Sequence, residues 1–214
     1  MIRFAAALML FTAMASADPV LTALPAPLEQ RNGPVVWTAT GPDSLTIAAG
    51  PKTNWFVPPW NPVSATDNAP TLLLRPAGDF ALTAKVSLTP KARWDSGALT
   101  VYVDRDNWAK LCFENAANDG KGQVVMVVNK RVSDDAYTAL IAPENIMWLR
   151  VSRNGQGLYF FASRDGQAWT MLRAFTLDGD LSQLKVGLLA QSPVGEGITA
   201  AFSNIHYEPA PAAK

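Results

Sequence analysis

From Asp79 onward the chain alternates apolar and polar residues with a period of two. Asp79 to Leu88, Ala98 to Asp104, Trp108 to Glu114, Gln123 to Lys130, Met147 to Arg153 and Leu158 to Ser163 are short runs rich in Val, Leu, Thr and aromatic residues. Successive side chains of a strand point to opposite faces, so alternation over these lengths predicts half-buried strands. Asp119-Gly120, Asn154-Gly155 and Asp165-Gly166 stand between runs and supply the positive φ that tight hairpins need. No window of about twelve residues carries an apolar stripe at helical spacing. Many short strands with turn signals between them predict a sandwich or barrel, and 214 residues favour the larger kind with two curved sheets.

The phase of two neighbouring runs assigns their faces. Ala109, Leu111 and Phe113 form one face of Trp108 to Glu114, and Leu99, Val101 and Val103 form the matching face of the preceding run; both sets belong in the core. Joined through a short turn from Asp104 to Asn107, the two strands then present Tyr102, Trp108, Lys110 and Glu114 on one polar and aromatic outer surface. Lys110 and Glu114 lie about 13 Å apart along an extended strand, too far for simple ion pairing, so each is free to meet a ligand or a neighbouring strand. The competing reading is a solvated face whose charges meet only water. Among the seven Trp residues, Trp37, Trp148 and Trp169 occupy strand positions expected in the core, whereas Trp60, Trp94 and Trp108 are candidates for exposed stacking on sugar rings. Gly50 to Pro70, with five prolines and Trp55, Phe56 and Trp60, reads as an extended loop pinned by aromatics.

The N-terminus is a separate object. Met1-Ile2-Arg3 is a short positive start, Phe4 to Met14 is an apolar run too short to span a bilayer, and Ala15-Ser16-Ala17 fits a cleavage site. Residues 1–17 therefore read as a secretory signal, cut after Ala17, and the mature protein is expected in the periplasm or outside the cell. The expected organisation is a single sandwich domain over 18–207 and a flexible Pro- and Ala-rich tail over 208–214. With 18 basic and 18 acidic residues the chain lacks the broad positive charge of a nucleic-acid binder. Its one Cys, Cys112, can form no internal disulfide or thiolate zinc cluster. No later apolar stretch reaches the roughly 20 residues of a membrane-spanning helix.

Several pieces, in order, resemble a known family. Gly78-Asp79-Phe80, Trp94-Asp95-Ser96-Gly97-Ala98-Leu99, Asp104-Arg105-Asp106-Asn107-Trp108-Ala109-Lys110 and Glu114 are similar to bacterial and fungal domains of unknown function in the concanavalin A-like lectin/glucanase superfamily, some of them labelled regulators of enolase. Val128 to Asp135, Val186 to Pro193, Gly195-Glu196-Gly197 and Phe202-Ser203-Asn204 continue the resemblance, which covers about Pro51 to Tyr207. Such domains are also similar to the C-terminal sandwich of some xylosidases and arabinosidases. The resemblance implies an all-β jelly-roll sandwich of two antiparallel sheets, one of them concave, and it implies no reaction.

Catalytic patterns are mostly missing. Glucanases of this fold place alternate carboxylates on one strand, but Glu114 is followed by Asn115-Ala116-Ala117-Asn118 and stands alone. His206, the only His, sits between Ile205 and Tyr207 in the expected last strand, with no Gly-x-Ser-x-Gly to complete a hydrolase triad. Ser163-Arg164-Asp165-Gly166-Gln167-Ala168-Trp169 resembles a sialidase Asp-box hairpin, in which Ser and Asp bond to turn backbone, a structural device. Asp178-Gly179-Asp180 and Asp104-Arg105-Asp106-Asn107 put oxygen ligands in turns, without a full calcium set; the competing role is backbone bonding. No cofactor is expected, a structural calcium being the one alternative. The function these features favour is a lectin-like, non-catalytic protein that binds a carbohydrate or other polar ligand on the concave sheet through Tyr102, Trp108, Lys110, Glu114 and Arg131. Two rivals stand beside it: a polysaccharide lyase with Tyr102 as base and Lys110 or Arg131 neutralising a uronate, and an interaction module that docks on another exported protein through the Pro51 to Pro62 loop.

Overall fold

A computed structural model of the protein describes residues 20–25, 27–142 and 144–209. The expected signal segment, 1–17, and most of the expected tail lie outside the described residues. The described residues form sixteen strands: β1 (Glu29–Arg31), β2 (Val36–Gly41), β3 (Ser44–Ala49), β4 (Trp55–Phe56), β5 (Thr66–Asp67), β6 (Thr71–Leu74), β7 (Phe80–Ser87), β8 (Ser96–Tyr102), β9 (Asn107–Glu114), β10 (Gly122–Lys130), β11 (Val132–Ala142), β12 (Ile146–Asn154), β13 (Gly157–Ser163), β14 (Thr170–Phe175), β15 (Lys185–Gln191) and β16 (Ile198–Pro209). The last strand runs to Pro209, two residues past the expected domain limit.

The strands build two antiparallel seven-stranded sheets, in the orders β1-β6-β15-β8-β9-β10-β11 and β14-β13-β12-β7-β16-β3-β2, with β4 and β5 as a separate pair. Neighbours in sequence pair as hairpins, while β15 and β16 insert between strands that come much earlier, the crossing pattern of a jelly roll. The sheets face each other through one large apolar core. Leu99, Val101, Ala109, Leu111, Phe113, Val124, Met126 and Val128 of the first sheet meet Leu82, Val86, Leu149, Phe160 and Phe202 of the second. Close approach is built into β8, where a Cβ added at Gly97 would lie 2.8 Å from Val86 Cγ1 and 2.9 Å from the Ala200 Cβ.

The expected phase of β8 and β9 agrees with this core, but the opposite face of the first sheet is not solvated. Trp108, Cys112, Ala98, Val125, Val127 and Leu189 form a second apolar cluster there, completed by Trp55 and Ala69. The first sheet is thus a middle layer, and the segment from Gly50 to Pro70 supplies part of the third. Trp148 and Trp169 depart from the expected core positions. Both are half-buried on the far side of the second sheet, where Lys85 Nζ lies 5.9 Å from the Trp148 ring and the Arg150 guanidinium 3.8 Å from that of Trp169. Trp37 is partly buried against the main core.

Candidate functional site

A strap across the outer face of the first sheet shapes the site. Thr53 bridges to Ser192, just beyond β15, and the Ser192 N–H donates to Thr53 Oγ1 at 2.9 Å. Four residues on, the Val57 N–H donates to Ser133 Oγ and the Ser133 N–H donates to the Val57 carbonyl, each at 2.9 Å, at the start of β11. Gln191 is level with Glu114 through Ser96, whereas Ser133 is level with Trp108 through Asn129, so the strap runs diagonally across β8, β9 and β10. Between its anchors the Trp55 ring stacks on Trp108 with centroids 4.7 Å apart, and it lies 5.6 Å from the Tyr102 ring. The Arg31 guanidinium completes this stack, 4.9 Å from the Trp55 ring and 4.7 Å from the Tyr102 ring, while its two amino groups hold the Asp67 carboxylate at 2.6 and 2.5 Å.

The strap fills the Trp108 end of the face and leaves the Glu114 end open as a cavity of about 270 Å³. Lys110 and Glu114 of β9 and Val125 and Val127 of β10 line it from the sheet, with Asp135 and Tyr137 of β11 on one flank and Gln191 and Pro193 on the other. Asn54, Phe56, Pro58 and Trp60 line it from the strap side, and Trp94 from the opposite end. Trp94 holds a left-handed φ of 65°, with the Arg93 guanidinium 4.5 Å from its ring. The buried carboxylate of Asp95 fixes this corner. It accepts from the Lys91 and Ala92 N–H groups, both at 2.8 Å, and from Ser192 Oγ at 2.6 Å, so the Trp94 turn, the end of β15 and the strap are tied together. Trp60, at the mouth, is 78% exposed.

Two charged side chains are buried in the cavity wall. Lys110 is 2% exposed, and its Nζ donates to Gln191 Oε1 at 2.8 Å. Among the described residues no ion pair includes it, which leaves two of the three ammonium donors for a ligand. Glu114 is 4% exposed. Burial pushes its carboxyl up to about 7; the Lys110 ammonium draws it down, Asp135 pushes it further up, and Arg93 and the Cys112 thiol draw it down. At neutral pH Glu114 is therefore poised to donate or to accept a hydrogen bond. Burial, reinforced by Glu114 and Asp135, also raises the Tyr137 phenol, and burial pushes the Cys112 thiol up to about 12, an inert apolar thiol.

The structure brings together only part of the set expected from sequence. Lys110 and Glu114 share the cavity; Tyr102, Trp108 and Arg131 do not line it. Trp108 is fully buried under Trp55, which corrects the expectation of an exposed stacking ring: the aromatic loop folds back onto the sheet and takes the place a sugar would have used. Tyr102, the phenol invoked as a lyase base, is half-buried beside the Trp55 ring and the Arg31 guanidinium and is not among the residues that line the cavity. Arg131 is exposed at the β10–β11 hairpin with φ of 67°, its N–H donating to the Asp106 carbonyl at 2.7 Å. The Pro51 to Pro62 loop is in large part this strap, with Trp60 left exposed. Asp135, Tyr137 and Gln191 were not singled out in the sequence. The period-two pattern Ser133, Asp135, Tyr137 would have placed two of them, because it shares the face of Val125 and Val127.

The turn motifs bond to backbone. Asp104 Oδ1 accepts from the Asp106 and Asn107 N–H groups at 2.8 and 2.9 Å, and Asp180 Oδ1 from the Ser182 N–H at 2.9 Å. Asp165 Oδ1 accepts from Gln167 and Ala168, and Ser163 Oγ from Gly166, as the Asp-box resemblance implies. Among the described residues no group of three or more His, Cys, Asp or Glu side chains is placed to hold a metal ion.

Two antiparallel seven-stranded sheets packed face to face, with a cavity on the outer face of one, define a jelly-roll β-sandwich. The chain belongs to the family described as "Protein of unknown function (DUF1349)", whose model matches residues 31–210. A functionally unknown protein from Saccharomyces cerevisiae has a similar fold, with a TM-score of 0.74 and 20% identity over 86% of this chain and 97% of that one. The GH43 protein BlXynB of Bacillus licheniformis matches with a TM-score of 0.61 and 17% identity over 81% of this chain; the match spans only 34% of that longer chain. The alginate lyase from Klebsiella pneumoniae matches with a TM-score of 0.54 and 12% identity over 83% of this chain and 85% of that one. At these identities the likenesses establish the fold. No functionally curated protein matches the chain.

Proposed function

We propose that the protein is an exported, non-catalytic glycan-binding sandwich whose ligand occupies the cavity beside the strap. One observation carries the reading: a buried ammonium with free donors and a buried carboxyl share a small cavity edged by aromatic rings. Sugar hydroxyls donate and accept at once, which suits Lys110 facing Glu114 and Asp135. The apolar faces of a sugar ring suit Trp60, Trp94 and Tyr137. Two proteins of similar fold, a GH43 protein and an alginate lyase, support a carbohydrate-related role. The Met1 to Ala17 pattern supports export.

A glycan array followed by calorimetry on hits tests this. The parent should bind at least one glycan class, and Lys110→Met, which keeps most of the stem and removes the ammonium, should weaken binding by a factor of about ten or more, in line with a hydrogen bond to a charged group. Trp60→Ala should weaken it by a smaller factor. Absence of any glycan bound, or equal affinity in both variants, would refute the site. Release of unsaturated product from a uronate polymer, read by absorbance, would replace the binding role with lyase activity.

A further inference from the structure

We infer that the cavity reads the end of a glycan chain, one terminal ring at a time, and does not hold the run of a polymer. The inference rests on the glycan-binding reading above and adds to it the topology of the ligand. A polymer bound along a sheet face needs a channel open at both ends, and here the strap blocks one end. Trp55 packs on Trp108 with rings 4.7 Å apart, and the strap is fastened at Thr53 to Ser192 and at Val57 to Ser133, so no passage continues past it toward Tyr102. The Trp94 turn stands at the far end, held by Asp95 through three hydrogen bonds. Asp135 and Gln191 rise from strands on opposite flanks. The space, about 270 Å³, falls just below the ~300–1,000 Å³ of pockets for drug-sized molecules and suits a single sugar ring.

The buried polar groups lie within the same bounded space. Lys110 and Glu114 both line this one cavity and come from the same strand, four residues apart. Both face this one cavity, which the strap bounds toward Trp108 and the Trp94 turn bounds beyond Glu114. The Trp60 ring, exposed at the mouth, can reach the sugar next to the terminal ring.

The test compares one polysaccharide in two states at equal mass. Intact linear xylan and intact alginate are each measured beside the same material partially hydrolysed to short oligomers, with the free monosaccharides in parallel, by calorimetric titration of the full chain. Binding capacity per gram should rise in proportion to the number of chain ends, and the matching monosaccharide should compete for the same site. Equal capacity per gram before and after hydrolysis, with several protein molecules per chain, would overturn the end-reading while leaving glycan binding in place. Failure of every sample to bind in the titration, together with an empty glycan array, would overturn both. Trp55→Ala adds a second readout: with the strap loosened, binding to intact polymer should increase relative to oligomers. If that variant does not fold, the capacity measured on the parent still decides the matter.

Discussion

Replacing Glu114 by Gln keeps the shape of the cavity floor and one acceptor, and removes a group that titrates. In the folded protein burial holds the Glu114 carboxyl at about 7, against an ordinary value of 4.5. Below about pH 4.5 the carboxyl is protonated in both folded and unfolded chains, so Glu114 contributes no pH dependence. Between 4.5 and 7 the folded protein keeps a proton that the unfolded chain has released, and stability falls as pH rises. Above 7 both forms are ionised and the loss is complete. At 1.36 kcal/mol per pH unit, moving a carboxylate from its ordinary value to about 7 amounts to about 3 kcal/mol. Urea denaturation of parent and Glu114→Gln at pH 4.5, 6 and 8 gives the difference directly, because the remaining titrating groups largely cancel between the two proteins. The variant should gain on the parent steadily with pH, by up to about 3 kcal/mol at pH 8. Parallel stability curves would show that the carboxyl is hydrated in the folded state, and the burial argument for the cavity floor would fail with it.

Trp55 and Trp60 lie five residues apart and should behave oppositely. Trp55→Ala should destabilise by about 3 to 5 kcal/mol through the void it leaves over Trp108, and Trp60→Ala by under about 1 kcal/mol, both read by denaturant titration; equal effects would refute the strap. Gly97→Ala forces a methyl between Val86 and Ala200 and should cost about 1 to 3 kcal/mol; a neutral result would mean that the sheets can separate at β8 without loss. N-terminal sequencing of the exported protein should begin at Asp18, and a product that retains Met1 would contradict the cleavage expected after Ala17.

Local periodicity carried much of the fold. The six runs with clean alternation are β7, β8, β9, β10, β12 and β13, and their inward residues are the core. What covers the other face of the first sheet was not legible, because the covering residue, Trp55, is separated from Trp108 by more than fifty positions and no local pattern encodes that contact. The same gap explains the mixed outcome for the site. Lys110 and Glu114 were found because they share a strand face. The exposure of Trp108 could not be judged without the strap. Trp148 and Trp169 depart for a related reason: a Trp in or beside a strand suggests burial in the core, yet both lie on the far face of the second sheet, with a cation 5.9 Å from the Trp148 ring and 3.8 Å from the Trp169 ring.

The separation of the two apolar clusters divides labour between two sets of residues. The larger lies between the two seven-stranded sheets; the smaller, under the strap, includes no residue of the second sheet. Changes in the strap can therefore lengthen, narrow or reroute the recess while the jelly roll stays folded. A scaffold arranged this way can drift toward new ligands through the strap, and directed variation aimed at a new specificity would begin between Gly50 and Pro70 and leave the fourteen strands of the two large sheets untouched.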